Sequence, residues 1–298
     1  MMTNEEREAF VRLAVERMSE HVFPCLTQVI GAVDQQTGDF RGTGFFCEIG
    51  GRRGIVTAAH VITEAIKTDE YLGIVFSRGG ENAPEAVEGE IHLFKDSDLA
   101  FYVPARPFPL PPSNRFWRSE DIERDPNSIL RDYLFIQGFP QRFSRFTAFE
   151  GRGLISEALS YGAMVRYRER DVPDFERREF DRDLPGYDFL PDDFLQPHEF
   201  AMRFECDPSF ILGENSTETR KADWMEVFER SAGAHGLSGS PVFRIGASGR
   251  KVGEWSPELS RLIGVVTKWD TEQKILIATS TAKMLEEVEA HLSRSTDE

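Results

Sequence analysis

The sequence predicts an all-β protein with flanking helices. Three observations lead there. Short apolar runs recur from Cys25 onward, separated by glycine and polar turns, which is the pattern of an antiparallel barrel or sandwich. Five prolines fall within Pro104–Pro112, which no central strand can contain, so the strands divide into two groups. The clearest helical periods lie at the two ends of the chain.

The first helix is expected over Thr3–Val22. Thr3-x-x-Glu6 forms a capping box, Phe10, Leu13, Ala14 and Met18 share one face, and Pro24 stops the run. Packing against its own barrel is the simpler reading; a docking or regulatory helix is the alternative. Strands are then expected at Leu26–Ile30, Gly42–Cys47, Gly54–His60, Tyr71–Phe76, Glu88–Phe94 and Leu99–Val103. The proline-rich stretch begins the passage to a second strand group, which opens at Asp132–Pro140. The segment from about 161 to 230 is rich in Asp, Glu, Arg and Phe. It reads as an inserted region of loops and short helices, including Asp223–Glu229, because its aromatics argue against simple disorder. Strands resume at Pro241–Arg244, Leu262–Trp269 and Lys274–Ala278. Ser280 caps a last helix whose apolar face holds Met284, Leu285, Val288 and Leu292. The expected units are a helix over 1–24, a β-barrel over 25–120, and a second barrel over 121–298 that carries the insertion and the last helix.

Composition narrows the function. The 298 residues are 40% hydrophobic and 29% charged, enough for a sizeable core. A net charge of −16 argues against a general nucleic-acid or anionic-membrane partner, which needs a basic surface. Arg166 to Arg170 is a local exception. The N-terminus lacks the basic start and apolar run of a secretory signal, and no apolar stretch approaches a membrane span. Cys25, Cys47 and Cys206 are odd in number and widely spaced, which suits free thiols in a reducing cytoplasm. His21, His92, His198 and His291 stand isolated, without zinc-ligand spacing, so no metal is expected.

The chemistry sits in three islands: Thr57-Ala58-Ala59-His60, Asp98-Leu99-Ala100 and Gly236-Leu237-Ser238-Gly239-Ser240-Pro241. Each is ordinary alone. A serine between glycines usually makes a turn, a histidine after small apolar residues is usually structural, and Asp-Leu-Ala is common. Together they supply what acyl transfer needs. A serine hydroxyl is a weak nucleophile until an imidazole takes its proton, and a carboxylate holds that imidazole in the useful tautomer. Glycines let the backbone turn sharply and offer N–H groups to an oxyanion. The order His, Asp, Ser is one of three known orders for such a triad. Asp96 competes with Asp98, since the two would share a face of extended backbone; Asp98 is preferred because Asp-Leu-Ala leads into apolar Phe101 to Val103.

These islands resemble the trypsin/chymotrypsin-like (PA clan) serine proteases. Gly42-Thr43-Gly44-Phe45-Phe46, the His60 motif and Gln137-Gly138-Phe139-Pro140 look like the bacterial HtrA-type and glutamyl-endopeptidase-type branches, and the Ser238 motif is especially similar to the latter. The resemblance implies a double six-stranded antiparallel β-barrel (chymotrypsin-like) with the active site between the barrels. It implies peptide hydrolysis through an acyl-enzyme, with no cofactor. His60 would be the base, Asp98 its orienting carboxylate, Ser238 the nucleophile, and the N–H groups of Gly236 and Ser238 the oxyanion hole. Ala232 would lie near the floor of the specificity pocket, Val266, Thr267, Lys268 and Trp269 along its wall, Ala278 on the final strand, and His235 within reach of substrate. No acidic residue is placed there and Val266 stands where the glutamyl branch has histidine, so a small or apolar residue before the cleaved bond is expected.

Departures matter as well. Leu237 occupies the place of the acid that pairs with a new N-terminus in trypsins, so activation of that kind is not expected. Val61 follows His60 where secreted relatives have a cysteine, which leaves Cys47 without that partner. HtrA relatives usually add PDZ modules; none is expected here. The expected function is an intracellular bacterial serine endopeptidase acting on polypeptides and restrained by a regulatory protein or stress signal. A silent protease-fold binding module and an esterase are the alternatives.

Overall fold

The computed structural model describes residues 4–32, 38–66, 71–76, 85–86, 88–107, 114–125, 133–139, 144–146, 154–156, 159–166, 190–191, 193–203, 234–246 and 252–295. Helix α1 (Asn4–Val22) leads into strands β1 (Leu26–Ala32), β2 (Gly38–Ile49) and β3 (Arg52–Ala58), and then helix α2 (Ala59–Ile66). Strands β4 (Tyr71–Phe76), β5 (Glu85–Ala86), β6 (Gly89–Phe94), β7 (Leu99–Pro104) and β8 (Trp117–Arg118) complete the first half. The second half holds β9 (Leu134–Gly138), β10 (Ser144–Phe146), β11 (Leu154–Ser156), β12 (Leu159–Arg166), β13 (Glu199–Arg203), β14 (Pro241–Arg244), β15 (Arg261–Asp270) and β16 (Ile275–Ser280), then the last helix, Thr281–Ser295.

The expected all-β architecture with flanking helices is the one observed. Strands β12-β13-β16-β15-β14-β9 close into a six-stranded antiparallel barrel. The first half is a curled sheet ordered β5-β4-β1-β2-β3-β7-β6, with β8 paired to β2. It counts eight strands rather than six because two-residue β5 and β8 add to the six long ones. Among the described residues its ends do not pair with each other. Most strand limits lie within a few residues of those read from the sequence. One limit is functional: the strand expected to run to His60 stops at Ala58, and α2 starts at Ala59. The capping box at Thr3 and the helix at Asp223–Glu229 lie outside the described residues, as does most of the 161–230 segment; its described parts include β13 and most of β12, which are barrel strands rather than the loops and short helices expected.

One core joins the parts. Phe45 and Phe101 of the first sheet pack in the same buried cluster as Phe135, Phe243 and Val265 of the barrel. Phe10, Ala14, Met18 and Val22 of α1 enter it, as do Met284, Leu285 and Val288 of the last helix. Both amphipathic helices therefore cover the body of the protein. Leu13 and Leu292 sit half-buried at the edges of those faces. The connection between the sheets is pinned too: Ile122 bridges Leu262, and Glu123 pairs with Arg244 at 3.0 Å. No helix among the described residues is long and apolar enough to cross a membrane. Cys25 and Cys47 are free and fully buried; burial pushes the Cys25 thiol up to about 12 and Cys47 higher still. Cys206 lies outside the described residues.

The C-terminal turn of α1 carries a titratable anchor. His21 lies edge-on to Trp117, with ring centroids 5.4 Å apart, and its carbonyl accepts from Arg115. Burial, then the charge of Arg115, lowers its pKa from 6.5 to about 4, against weaker opposing pulls from Glu258 and Asp121. The unfolded chain thus takes up this proton near pH 6.5, and the folded protein only near pH 4. Stability from this site is complete above pH 6.5 and is lost as the pH falls toward 4. The Tm difference between wild type and His21→Gln is expected to hold constant above pH 6.5 and to shrink below it. Parallel Tm profiles would contradict this account.

Candidate active site

His60 is the second residue of α2, at the point where β3 turns directly into helix. A helix start leaves N–H groups without partners inside the helix. Here they go to Asp98: the Ala59 N–H donates to the Asp98 carbonyl at 2.9 Å, and the His60 N–H to Asp98 Oδ1 at 3.0 Å. The second carboxylate oxygen, Oδ2, lies 2.7 Å from His60 Nδ1. One side chain thus caps α2 and orients the imidazole. Asp98 reaches this position from a turn at the start of β7, with φ at 53°, a left-handed conformation unusual for a residue with a side chain. Asp96 is exposed on the same turn; the acid that pairs with His60 is Asp98.

The turn that holds Asp98 is fastened from the other side of the molecule. Buried Ser97 accepts at its carbonyl from Thr279 Oγ1 of β16 at 2.8 Å, and its own hydroxyl donates to Glu287 of the last helix. Lys283 lies 3.3 Å from Glu287 and balances its charge. The second barrel and the last helix thereby fix the acid that belongs to the first sheet.

Ser238 sits half-buried in a tight loop between residues 234 and 240. The Leu237 N–H bonds the Ala234 carbonyl, the Ser240 N–H bonds the Leu237 carbonyl, and the Gly239 N–H bonds Val266 of β15 at 2.7 Å. Among the described residues the N–H groups of Gly236 and Ser238 have no such partner. The loop is tied to β2 by Thr43, whose N–H donates to the Ser238 carbonyl at 2.9 Å and whose hydroxyl donates to the Gly236 carbonyl at 2.9 Å. Gly42 makes the approach feasible. A Cβ there would stand 2.7 Å from Val61 and 2.9 Å from the Ser238 carbonyl. The serine's residue and the neighbour of His60 therefore press on the same face of one glycine. Gly239 is equally constrained: its φ is 86°, and a Cβ would lie 1.9 Å from the Thr43 carbonyl. Bulges at Val29/Ile30 of the β1–β2 pair and at Val266/Lys268 of the β15–β16 pair flank the loop, where extra residues re-aim the backbone.

Burial of His60 works against its cation, but the hydrogen bond and charge of Asp98, with help from Glu64, outweigh it and raise the pKa above 6.5. The side chains remain accessible, His60 at 37% and Asp98 at 24%. The arrangement has an imidazole held by a carboxylate, a half-buried serine on a loop that meets Val61, the residue after His60, at Gly42, and two backbone N–H groups without a backbone partner among the described residues. Among the described residues, no group of three or more His, Cys, Asp or Glu side chains is placed to hold a metal ion.

The residues expected to choose substrate are more scattered. Thr267 is buried in the β15 bulge, and Val266 and Ala278 are buried and paired with each other. Lys268 is exposed, but its charge is engaged by Glu199 at 2.5 Å. Trp269 is half-buried and His235 exposed. Ala232 lies outside the described residues. Thr43, Ser97, Thr279 and Glu287 were not foreseen. Thr43 alone had a signal, its place between the two glycines of the Gly42-Thr43-Gly44 motif.

Solved structures include distant likenesses, two of which follow. The Rv3671c protease from M. tuberculosis in its active form is 13% identical, with 89% of this chain and 80% of that chain covered and a TM-score of 0.40. The VesB protease of Vibrio cholerae is 12% identical, with 92% of this chain covered and a TM-score of 0.45. The chain spans 65% of the length of VesB. No protein-family model and no curated protein matches the sequence.

Two outcomes test this geometry. The His60 imidazole, followed by NMR, is expected to titrate above 6.5, and Asp98→Asn to lower that midpoint; an unchanged midpoint would remove Asp98 as the cause. Thr279→Val is expected to cost about 1–3 kcal/mol in urea unfolding, because the buried Ser97 carbonyl loses its donor. It should also lower the His60 midpoint as the Asp98 turn loosens, and a variant that loses stability alone would refute the link.

Proposed function

We propose that the protein is a serine endopeptidase that hydrolyses peptide bonds through an acyl-enzyme. The observation that carries this reading is the meeting at Gly42 of the Ser238 loop with Val61, the residue after the Asp98-bound His60, with the N–H groups of Gly236 and Ser238 without backbone partners among the described residues.

In the proposed reaction, the His60 Nδ1–H donates to Asp98 and leaves Nε2 as the base. Nε2 takes the Ser238 Oγ proton as Oγ attacks the scissile carbonyl carbon. The carbonyl electron pair moves onto oxygen, and the N–H groups of Gly236 and Ser238 stabilise that oxyanion. The imidazolium, held by Asp98, then protonates the leaving amine as the C–N bond breaks. Water, activated by the same base, hydrolyses the ester on Ser238 and restores the hydroxyl.

The substrate is a polypeptide with a small or apolar residue before the cleaved bond, a choice supported by the engagement of Lys268 with Glu199. Control comes from a regulatory protein or stress signal. Leu237, the residue before the nucleophile, is fully buried and carries no charge to receive a new N-terminal amine. The free thiols of Cys25 and Cys47 fit a reducing cytoplasm. The sequence motifs favour kinship with the bacterial HtrA-type and glutamyl-endopeptidase-type enzymes.

Ser238→Ala is expected to lower cleavage of unstructured protein by about 10⁶-fold and to abolish labelling by a fluorophosphonate probe. Undiminished hydrolysis in this variant would overturn the proposal. The base must be neutral to act, so kcat/KM should climb with pH through a midpoint above 6.5. Asp98→Asn should reduce kcat by about 10⁴-fold, because the amide favours the wrong tautomer.

A further inference from the structure

At the ends of β3 and β7 far from His60 and Asp98 lies a cavity of about 900 Å³. Its walls are the end of β2, the β2–β3 turn, the end of β7, and the segment around β8. Five arginines line it: Arg52, Arg53, Arg106, Arg115 and Arg118. They come from separate stretches of chain, so the fold itself brings them together. Like charges gathered this way repel, and the cluster stands in a protein of net charge −16.

The carboxylates on the cavity wall are fewer: Glu48, Glu120 and Asp121. Arg53 pairs with Glu48 at 2.9 Å and Arg118 approaches Glu120 at 3.7 Å, while Glu90 at the rim reaches Arg52 at 3.3 Å. The Arg115 guanidinium donates to the His21 carbonyl, and Arg106 has no ion-pair partner among the described residues. Arg53 and Arg118 keep 64% and 66% of their side chains exposed, so their remaining donors face solvent. Guanidinium groups offer paired N–H donors that match phosphate oxygens, and several in one recess suit a ligand bearing several phosphates. The volume falls within the ~300–1,000 Å³ usual for small-molecule sites. Val103, Pro104 and Phe116 supply an apolar wall, and Phe116 is held in place by Arg53, 5.0 Å from its ring centre.

We propose that this arginine-lined cavity binds a small-molecule oligophosphate. Such a ligand adds to the partial countercharge of the carboxylates and bridges β3, the segment after β7 and the segment around β8. The site is separate from the His60–Asp98 pair: six residues of extended β3, about 20 Å, run between them. The proposal does not depend on hydrolytic activity, so binding itself is the readout.

The full-length protein is titrated calorimetrically with ATP and, separately, with tripolyphosphate, each at low and high salt. At least one is expected to bind at one site, more weakly at high salt. ATP binding more tightly than tripolyphosphate identifies a nucleotide source, and the reverse order an inorganic one. Arg106→Ser/Arg118→Ser should weaken binding at least tenfold, and Arg106→Lys/Arg118→Lys should keep more of it than the serine pair does. Failure of both probes to bind at millimolar concentration, or a loss under tenfold in the serine pair, would overturn the proposal.

Discussion

Asp98 satisfies two demands with one carboxylate. Helix α2 starts where β3 stops, and its first N–H groups need acceptors. The Asp98 carbonyl and Oδ1 supply them, and Oδ2 is left for the His60 ring. Placing the imidazole and beginning the helix are therefore one event. Its cost is a side-chain-bearing residue at positive φ. The surroundings hold it there: Ser97 is bound to Thr279 and to Glu287, so the strained turn is fixed from the barrel and the last helix.

A similar economy operates at Thr43. Its N–H and hydroxyl hold two carbonyls of the Ser238 loop, and the same hydroxyl accepts from the Phe139 N–H at 2.9 Å. Its own carbonyl accepts from Thr57 of β3 at 2.6 Å. Strand β2 thus carries the serine loop on one side and touches the approach to His60 on the other, with Gly42 between them. A methyl group at Gly42 or Gly239 would separate parts that the proposed chemistry needs in contact.

Much of this was legible in the residues. The strand pattern, the proline break and the two amphipathic ends yield the architecture, because each rests on local periodicity. His60, Asp98 and Ser238 stand out as candidates because acyl transfer restricts both the residue types and their glycine-rich settings, and the structure joins the first two directly. The boundary at Ala58 was not, since α2 begins there only by courtesy of an acid far along the chain. Ser97, Thr279 and Glu287 were likewise hidden, because ordinary Ser, Thr and Glu acquire meaning only when remote segments pack. The arginines of the far cavity were invisible for the same reason: the overall charge is strongly negative, and only folding collects them.

The shared core limits how the molecule can change shape. Phe45 and Phe101 lie in one buried cluster with Phe135 and Phe243, and helices from both termini seal it. Swinging one half away from the other would expose several aromatic rings at once, at about 25 cal/mol for each Å² uncovered. Hinge opening is thereby disfavoured. Any change of shape is left to short loops shifting over an undeformed frame, movements small enough to leave the interior dry.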